Sequence, residues 1–173
     1  GPAEQNMVSV AAGLAASGEI PVVSTFTVFA TARPYDQLRV GVSQPGLNVK
    51  VVATHGGIVT GEDGVSAHGI EDIAIMCALP GFNVIVPADA VEAAAVMKVI
   101  LEVDGPCYVR LSRPPTPIVH EGSYSFALGR APTLREGSDV SIVACGIMVH
   151  AALEAANALA LDGIGCRVIN MST

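Results

Sequence analysis

Short runs of nearly unbroken apolar, often β-branched residues alternate along this chain with segments of helical periodicity, and that alternation restricts the fold more than any other feature. The runs lie at 20–25, 48–54, 82–86, 107–112, 139–146 and 166–170. A strand that is apolar on both faces has to be covered on both faces, so the pattern predicts an α/β fold, a parallel sheet with helices on both faces. Ligands of such sheets bind beyond the carboxyl ends of the strands. His55 and Arg113 follow directly on predicted strands, which puts both on that edge.

Between the strands, residues 4–17 read as a helix stopped by Gly18, and a second helix is expected over 28–41. Ile70, Ile73, Ala74 and Cys77 share one helical face, with Glu71 and Asp72 in the first turn where the helix dipole favours negative charge; Pro80 and Gly81 end that helix. Asp89 and Glu92 form a capping-box pattern in front of a helix whose apolar face is Ala93, Val96, Met97, Ile100 and Leu101. Residues 114–125 hold three prolines and no periodicity, so they read as a linker. Beyond it, the strand at 139–146, the helical pattern Val149, Leu153, Ala156 and Ala160, and the strand at 166–170 begin a second α/β domain. The expected division is therefore 1–113, the linker 114–125, and 126–173. Because the second unit stops just after a strand, with strand edges unpaired, the expectation is a piece of a longer protein.

At 51% hydrophobic and 14% charged residues, 173 residues suffice for a real core. A net charge of −7 argues against nucleic acid or an anionic membrane as partner. Gly, Lys, Glu and Asp interrupt every apolar run before it reaches the roughly 18 residues that would span a bilayer. No leader pattern opens the chain, so a cytoplasmic location is expected. Cys77, Cys107, Cys145 and Cys166 are widely spaced among apolar neighbours, without a Cys-x-x-Cys pair or histidines at ligand spacing. Buried free thiols and no metal site of this chain's own are expected.

With only 4% aromatic residues, each phenylalanine needs a reason. Glu4, the stretch Ser24-Thr25-Phe26-Thr27-Val28-Phe29 and the glycine-rich loop 54–64 supply a carboxylate, an aromatic slot and a polar loop, which together suit a heteroaromatic cofactor. Five blocks, Ala3 to Met7, Thr25-Phe26-x-x-Phe29, Ala53-Thr54-His55 running on to Gly61-Glu62-Asp63-Gly64, Val86-Pro87-Ala88-Asp89, and Arg110-Leu111-Ser112-Arg113, resemble in order and spacing the pyrimidine-binding domain of transketolases.

The resemblance implies thiamine diphosphate as cofactor and gives several residues a role. Glu4 is implied to hydrogen-bond the aminopyrimidine ring and favour the imino tautomer that takes the proton from the thiazolium carbon; the plain alternative is a first-turn glutamate. Phe29 is implied to stack on that ring with Phe26 close by, although both also suit a core. His55 and Asp63 are implied to bind substrate hydroxyls, His55 also as a catalytic residue, against the alternatives of a satisfied loop histidine and a turn-forming aspartate. Arg113 is implied to grip a substrate phosphate. Arg110 reads as a salt-bridge or strand-end residue, and Glu62 as structural because adjoining acidic side chains point apart.

Two departures from the family pattern concern substrate. Ala67 stands where most transketolases carry a histidine, so His68 is the candidate catalytic imidazole in its place; Ala32 stands where some carry a third aromatic. Pro2 replaces a common isoleucine. No Gly-Asp-Gly followed by a distant Asn, the family's magnesium and diphosphate motif, occurs in these residues. The expectation is an N-terminal transketolase-like subunit that supplies Mg2+ and the diphosphate site, in an α2β2 assembly moving a two-carbon ketol unit between sugar phosphates. A 2-oxo acid dehydrogenase β subunit, a deoxyxylulose-phosphate synthase and a non-catalytic subunit are the alternatives.

Overall fold

The computed structural model describes residues 3–173; Pro2 lies outside the described residues. The chain separates into two compact units, one running to Ile85 and including Ile100–Pro114, the other comprising Val86–Val99 and Pro115–Thr173. Among the described residues no helix is long and apolar enough to cross a membrane.

In the first unit, helix α1 (Glu4–Ala16) leads to strand β1 (Val22–Val23), and the chain reverses at Gly18, whose φ of 93° is the left-handed conformation that glycine takes without strain. Strands β2 (Lys50–Ala53), β3 (Asn83–Ile85) and β4 (Cys107–Arg110) complete a sheet of order β1-β2-β4-β3, parallel throughout. Helices flank it, as the unbroken apolar runs require. Val49 and Val51 have no exposed surface, and each such side chain contributes roughly 1.5–3 kcal/mol of burial. Lys50 is equally buried, and its Nζ donates to the carbonyls of Val103 at 2.8 Å and Gly105 at 2.7 Å, so this cation is satisfied inside an apolar strand.

Three expectations change. The helix expected over 28–41 is two pieces, α2 (Thr27–Thr31) and a π-helical stretch (Gln37–Ser43), because Pro34 offers no N–H and breaks the first helix. Helix α3 (Asp72–Cys77) buries Asp72 and Met76, not the expected stripe; Ile70 is exposed before the helix begins, and Ala74 and Cys77 face outward. The cysteines correct likewise, with Cys107 and Cys166 buried but Cys145 half-buried and Cys77 exposed.

The second unit holds helix α4 (Ala90–Glu102) up to Val99, and the helix opens on the capping pattern seen in the sequence. Asp89 Oδ1 accepts from the Glu92 N–H at 2.8 Å, while the Glu92 carboxylate reaches back to the Ala88 N–H at 2.8 Å. The irregular segment after Pro115 is fastened here, since Asp89 Oδ2 accepts from the N–H groups of Val119 at 2.7 Å and His120 at 2.8 Å. Strand β6 (Val140–Ala144), helix α5 (Met148–Leu161) and strand β7 (Cys166–Asn170) form the expected parallel βαβ unit. Strand β5 (Thr133–Arg135) was not expected and pairs antiparallel with β7, so this small sheet is mixed, of order β5-β7-β6.

Candidate functional site

At the carboxyl edge of the first sheet, β1 and β2 are prolonged by a bridge between Phe26 and Thr54, with the Thr27 N–H donating to the Thr54 carbonyl at 2.6 Å. That pairing sets Phe26 beside His55, whose rings stack with centroids 3.7 Å apart and planes 14° from parallel. Phe26 and Phe29 lie nearly parallel, their centroids 5.9 Å apart. Phe29 carries the Arg33 guanidinium, with Cζ 4.0 Å from the ring centroid, and Arg33 Nη1 donates to both Glu4 oxygens at 3.2 and 3.3 Å. Glu4, Arg33, Phe29, Phe26 and His55 thus form one chain of contacts. Glu4 and Arg33, with Ala3, Gln5 and Asn6, line a surface depression of about 650 Å³.

The second group is the loop after β2. His55 has a φ of 61°, a conformation few non-glycine residues adopt, held because the Thr60 hydroxyl donates to its carbonyl at 2.7 Å. Its Nδ1 lies 2.9 Å from Thr54 Oγ1, which leaves Nε2 as the open ring nitrogen whichever tautomer is present. Arg113 Nη1 donates to the Thr60 carbonyl at 2.7 Å and lies 3.5 Å from Asp63 Oδ2, while Nη2 donates to Glu62 Oε1 at 2.8 Å. The Glu62 hydrogen bond and the Asp63 charge raise the guanidinium above its ordinary pKa. Glu62 and Asp63 therefore share one arginine, which corrects the expectation that they point apart. Arg113 stands three residues past the end of β4 and not directly after a strand. His68 Nε2 is 3.2 Å from the Gly61 carbonyl, so an Nε2–H donates there, and Ala67 is buried.

Beneath this loop lies a pair that sequence reasoning read otherwise. Asp72, 1% exposed, was expected to serve the dipole of α3; instead its Oδ2 accepts from Arg110 Nε at 2.8 Å and from the Tyr108 hydroxyl at 2.7 Å. Burial, and then the neighbouring Asp72 charge, pushes the Tyr108 phenol up. Arg110 is the salt-bridge residue expected, and it packs directly under Gly56 and Gly57. Arg33 was missed altogether. Its spacing of four residues from Phe29 was the available signal.

The sequence profile for the transketolase pyrimidine binding domain matches residues 1–118, and that for the transketolase C-terminal domain matches 129–173. The chain belongs to the transketolase family. It is 46% identical over 173 residues to the 6-deoxy-6-sulfo-D-fructose transketolase subunit SqwH of Clostridium sp., covering 100% of this chain and 54% of that one. It is 37% identical over 174 residues to an apulose-4-phosphate transketolase subunit of Phocaeicola vulgatus, covering 100% of this chain and 56% of that one. Its fold overlays a split gene transketolase, described as an inactive beta4 tetramer, with a TM-score of 0.91 and 46% identity over 99% of this chain and 55% of that one. The chain spans about half the length of the curated relatives it matches.

Proposed function

We propose that this chain is the pyrimidine-binding part of a thiamine diphosphate-dependent transketolase that moves a two-carbon ketol unit between sugar phosphates together with a partner subunit. The observation that carries it is the slot built from Glu4 and Phe29. A single planar cation, the Arg33 guanidinium, satisfies both the carboxylate and the ring face there. An aminopyrimidine makes the same two demands, a hydrogen bond to a carboxylate and a flat apolar surface, so the residues present fit the group.

When bound, thiamine diphosphate supplies a nucleophilic carbon able to carry the ketol unit. Glu4 holds the proton shared with the pyrimidine ring nitrogen, and Phe29 with Phe26 orients the ring. His55 offers Nε2 to a substrate hydroxyl, with Asp63 as a second hydroxyl ligand. Arg113 takes the phosphate, and His68, next in sequence, is the candidate imidazole for the position where Ala67 carries none. Mg2+ and the diphosphate belong to an N-terminal transketolase-like subunit in an α2β2 complex in the cytoplasm. The kinship with split transketolase subunits supports this division and favours neither the 2-oxo acid dehydrogenase nor the deoxyxylulose-phosphate synthase alternative.

The test is to mix the full-length protein with a subunit carrying Gly-Asp-Gly and its distant Asn, add thiamine diphosphate and Mg2+, and offer a ketose phosphate with an aldose phosphate acceptor, or pyruvate. Ketol transfer that needs both subunits is expected. Consumption of pyruvate, or no transfer from any ketose donor, would overturn the reading.

A further inference from the structure

Arg33 belongs to none of the sequence motifs and to no step proposed above, yet it engages both walls of the slot. Resting on the reading that this slot takes the aminopyrimidine ring, we infer that Arg33 is a built-in plug whose guanidinium fills the ring's place against Glu4 and Phe29, and whose departure sets the affinity for the cofactor. A ring bonded to Glu4 and stacked on this face of Phe29 needs the volume that the guanidinium fills, 4.0 Å above the ring and 3.2 Å from the carboxylate.

The plug has a reason to be there. The Glu4 side chain is only 10% exposed, and without a partner it would hold a largely desolvated, unpaired carboxylate, a costly state. The plug is also able to leave. The Arg33 side chain is 48% exposed and borders the open depression, while its backbone is held by the Gln5 amide, which donates to the Arg33 carbonyl at 3.4 Å, and by Pro34 next in the chain. Exchange is therefore a change of rotamer with the backbone in place.

Removing the plug takes away competition without touching either wall. The guanidinium gives up one cation–π contact and one partly exposed ion pair, so Arg33→Ala should bind thiamine diphosphate about 3- to 30-fold more tightly. Arg33→Lys keeps the ion pair but loses the flat stack, and should tighten binding by a smaller factor. The measurement is calorimetric titration of thiamine diphosphate with Mg2+ into the full-length protein assembled with its partner subunit, for wild type, Arg33→Ala, Arg33→Lys and Glu4→Ala. Tighter binding by both arginine variants, with weaker binding by Glu4→Ala, supports the plug. Equal or weaker binding by the arginine variants, while wild type binds, overturns the plug and leaves the cofactor reading standing. No binding by wild type or by either arginine variant overturns the cofactor reading itself. If Arg33→Ala does not fold, Arg33→Lys carries the same comparison.

Discussion

A methyl group on Gly56 would meet Nε, Cζ and Cγ of Arg110 at 2.7, 2.8 and 2.9 Å, closer than real Cβ contacts come. Gly56 cannot retreat, because its N–H donates to the Leu111 carbonyl at 3.0 Å and it forms a bridge with Gly69. Arg110 has to move instead, and doing so breaks its 2.8 Å bond to Asp72, whose side chain is 1% exposed. The Tyr108 hydroxyl then remains on Oδ2, while Oδ1 has no partner to begin with. Because Arg110 is displaced and not deleted, Gly56→Ala should cost about 1.5–3 kcal/mol, the range of a charge-assisted hydrogen bond. Arg110→Ala removes the buried partner outright and should cost about 3–5 kcal/mol. It also removes the obstacle, so Gly56→Ala added to it should cost about 0.5 kcal/mol or less. Urea unfolding of the two single variants and the double variant closes the cycle, with an expected coupling of about 1–3 kcal/mol. Losses that simply add would show that Arg110 is not what makes position 56 a glycine.

In the assembled enzyme, Glu4→Gln should lower turnover far more than cofactor affinity, because the amide still hydrogen-bonds the ring but cannot shift its proton; unchanged turnover at saturating thiamine diphosphate would remove Glu4 from the chemistry. Arg113→Ala should raise KM for a phosphorylated ketose by about tenfold or more and barely affect the matching unphosphorylated sugar, and an equal loss for both would make the arginine structural. Burial pushes Asp89 up, but the N–H groups of Glu92, Val119 and His120 and the His120 ring outweigh it and hold the carboxyl below its ordinary value of 3.8. A carboxyl lowered on folding adds stability above its unfolded pKa that is lost as pH falls through the folded one. The deficit of Asp89→Asn in urea unfolding should therefore be steady near neutral pH and shrink below about pH 4, and a deficit unchanged at pH 3 would contradict the assignment.

What the sequence made legible followed from period and capping. The parallel sheet was readable because β2 and β4 are apolar on both faces, and the start of α4 because Asp89 and Glu92 stand three apart. Partners distant in sequence were not readable. Asp72 at the head of α3 has the same local signature as a dipole-stabilising residue, and only the fold brings Arg110, 38 residues on, to its side. The stripe from Ile70 to Cys77 failed for a related reason, since helical period says which residues share a face but not which face turns inward. In the candidate site, the resemblance supplied Glu4, Phe29 and the loop, while Arg33 carried no family mark and emerged only from its contacts.

The two ends of the candidate site obey one rule. Arg113, proposed to take a phosphate, is already held by Glu62 and Asp63, and Glu4, proposed to hydrogen-bond an aminopyrimidine ring, is already held by Arg33. In a chain of net charge −7, a free guanidinium would attract carboxylates from elsewhere, and a nearly buried free carboxylate would be costly. Pairing each ligand-binding group with a local partner of opposite sign removes both problems. It also makes the affinity for each ligand a difference between two similar interactions. A phosphate at Arg113 has to displace the carboxylates of Glu62 and Asp63, which sit between Gly61 and Gly64, both at positive φ. Under the proposed function, selectivity would follow from what Asp63 and His55 contact once the phosphate is bound, and from the buried Ala67, where the family resemblance expects an imidazole.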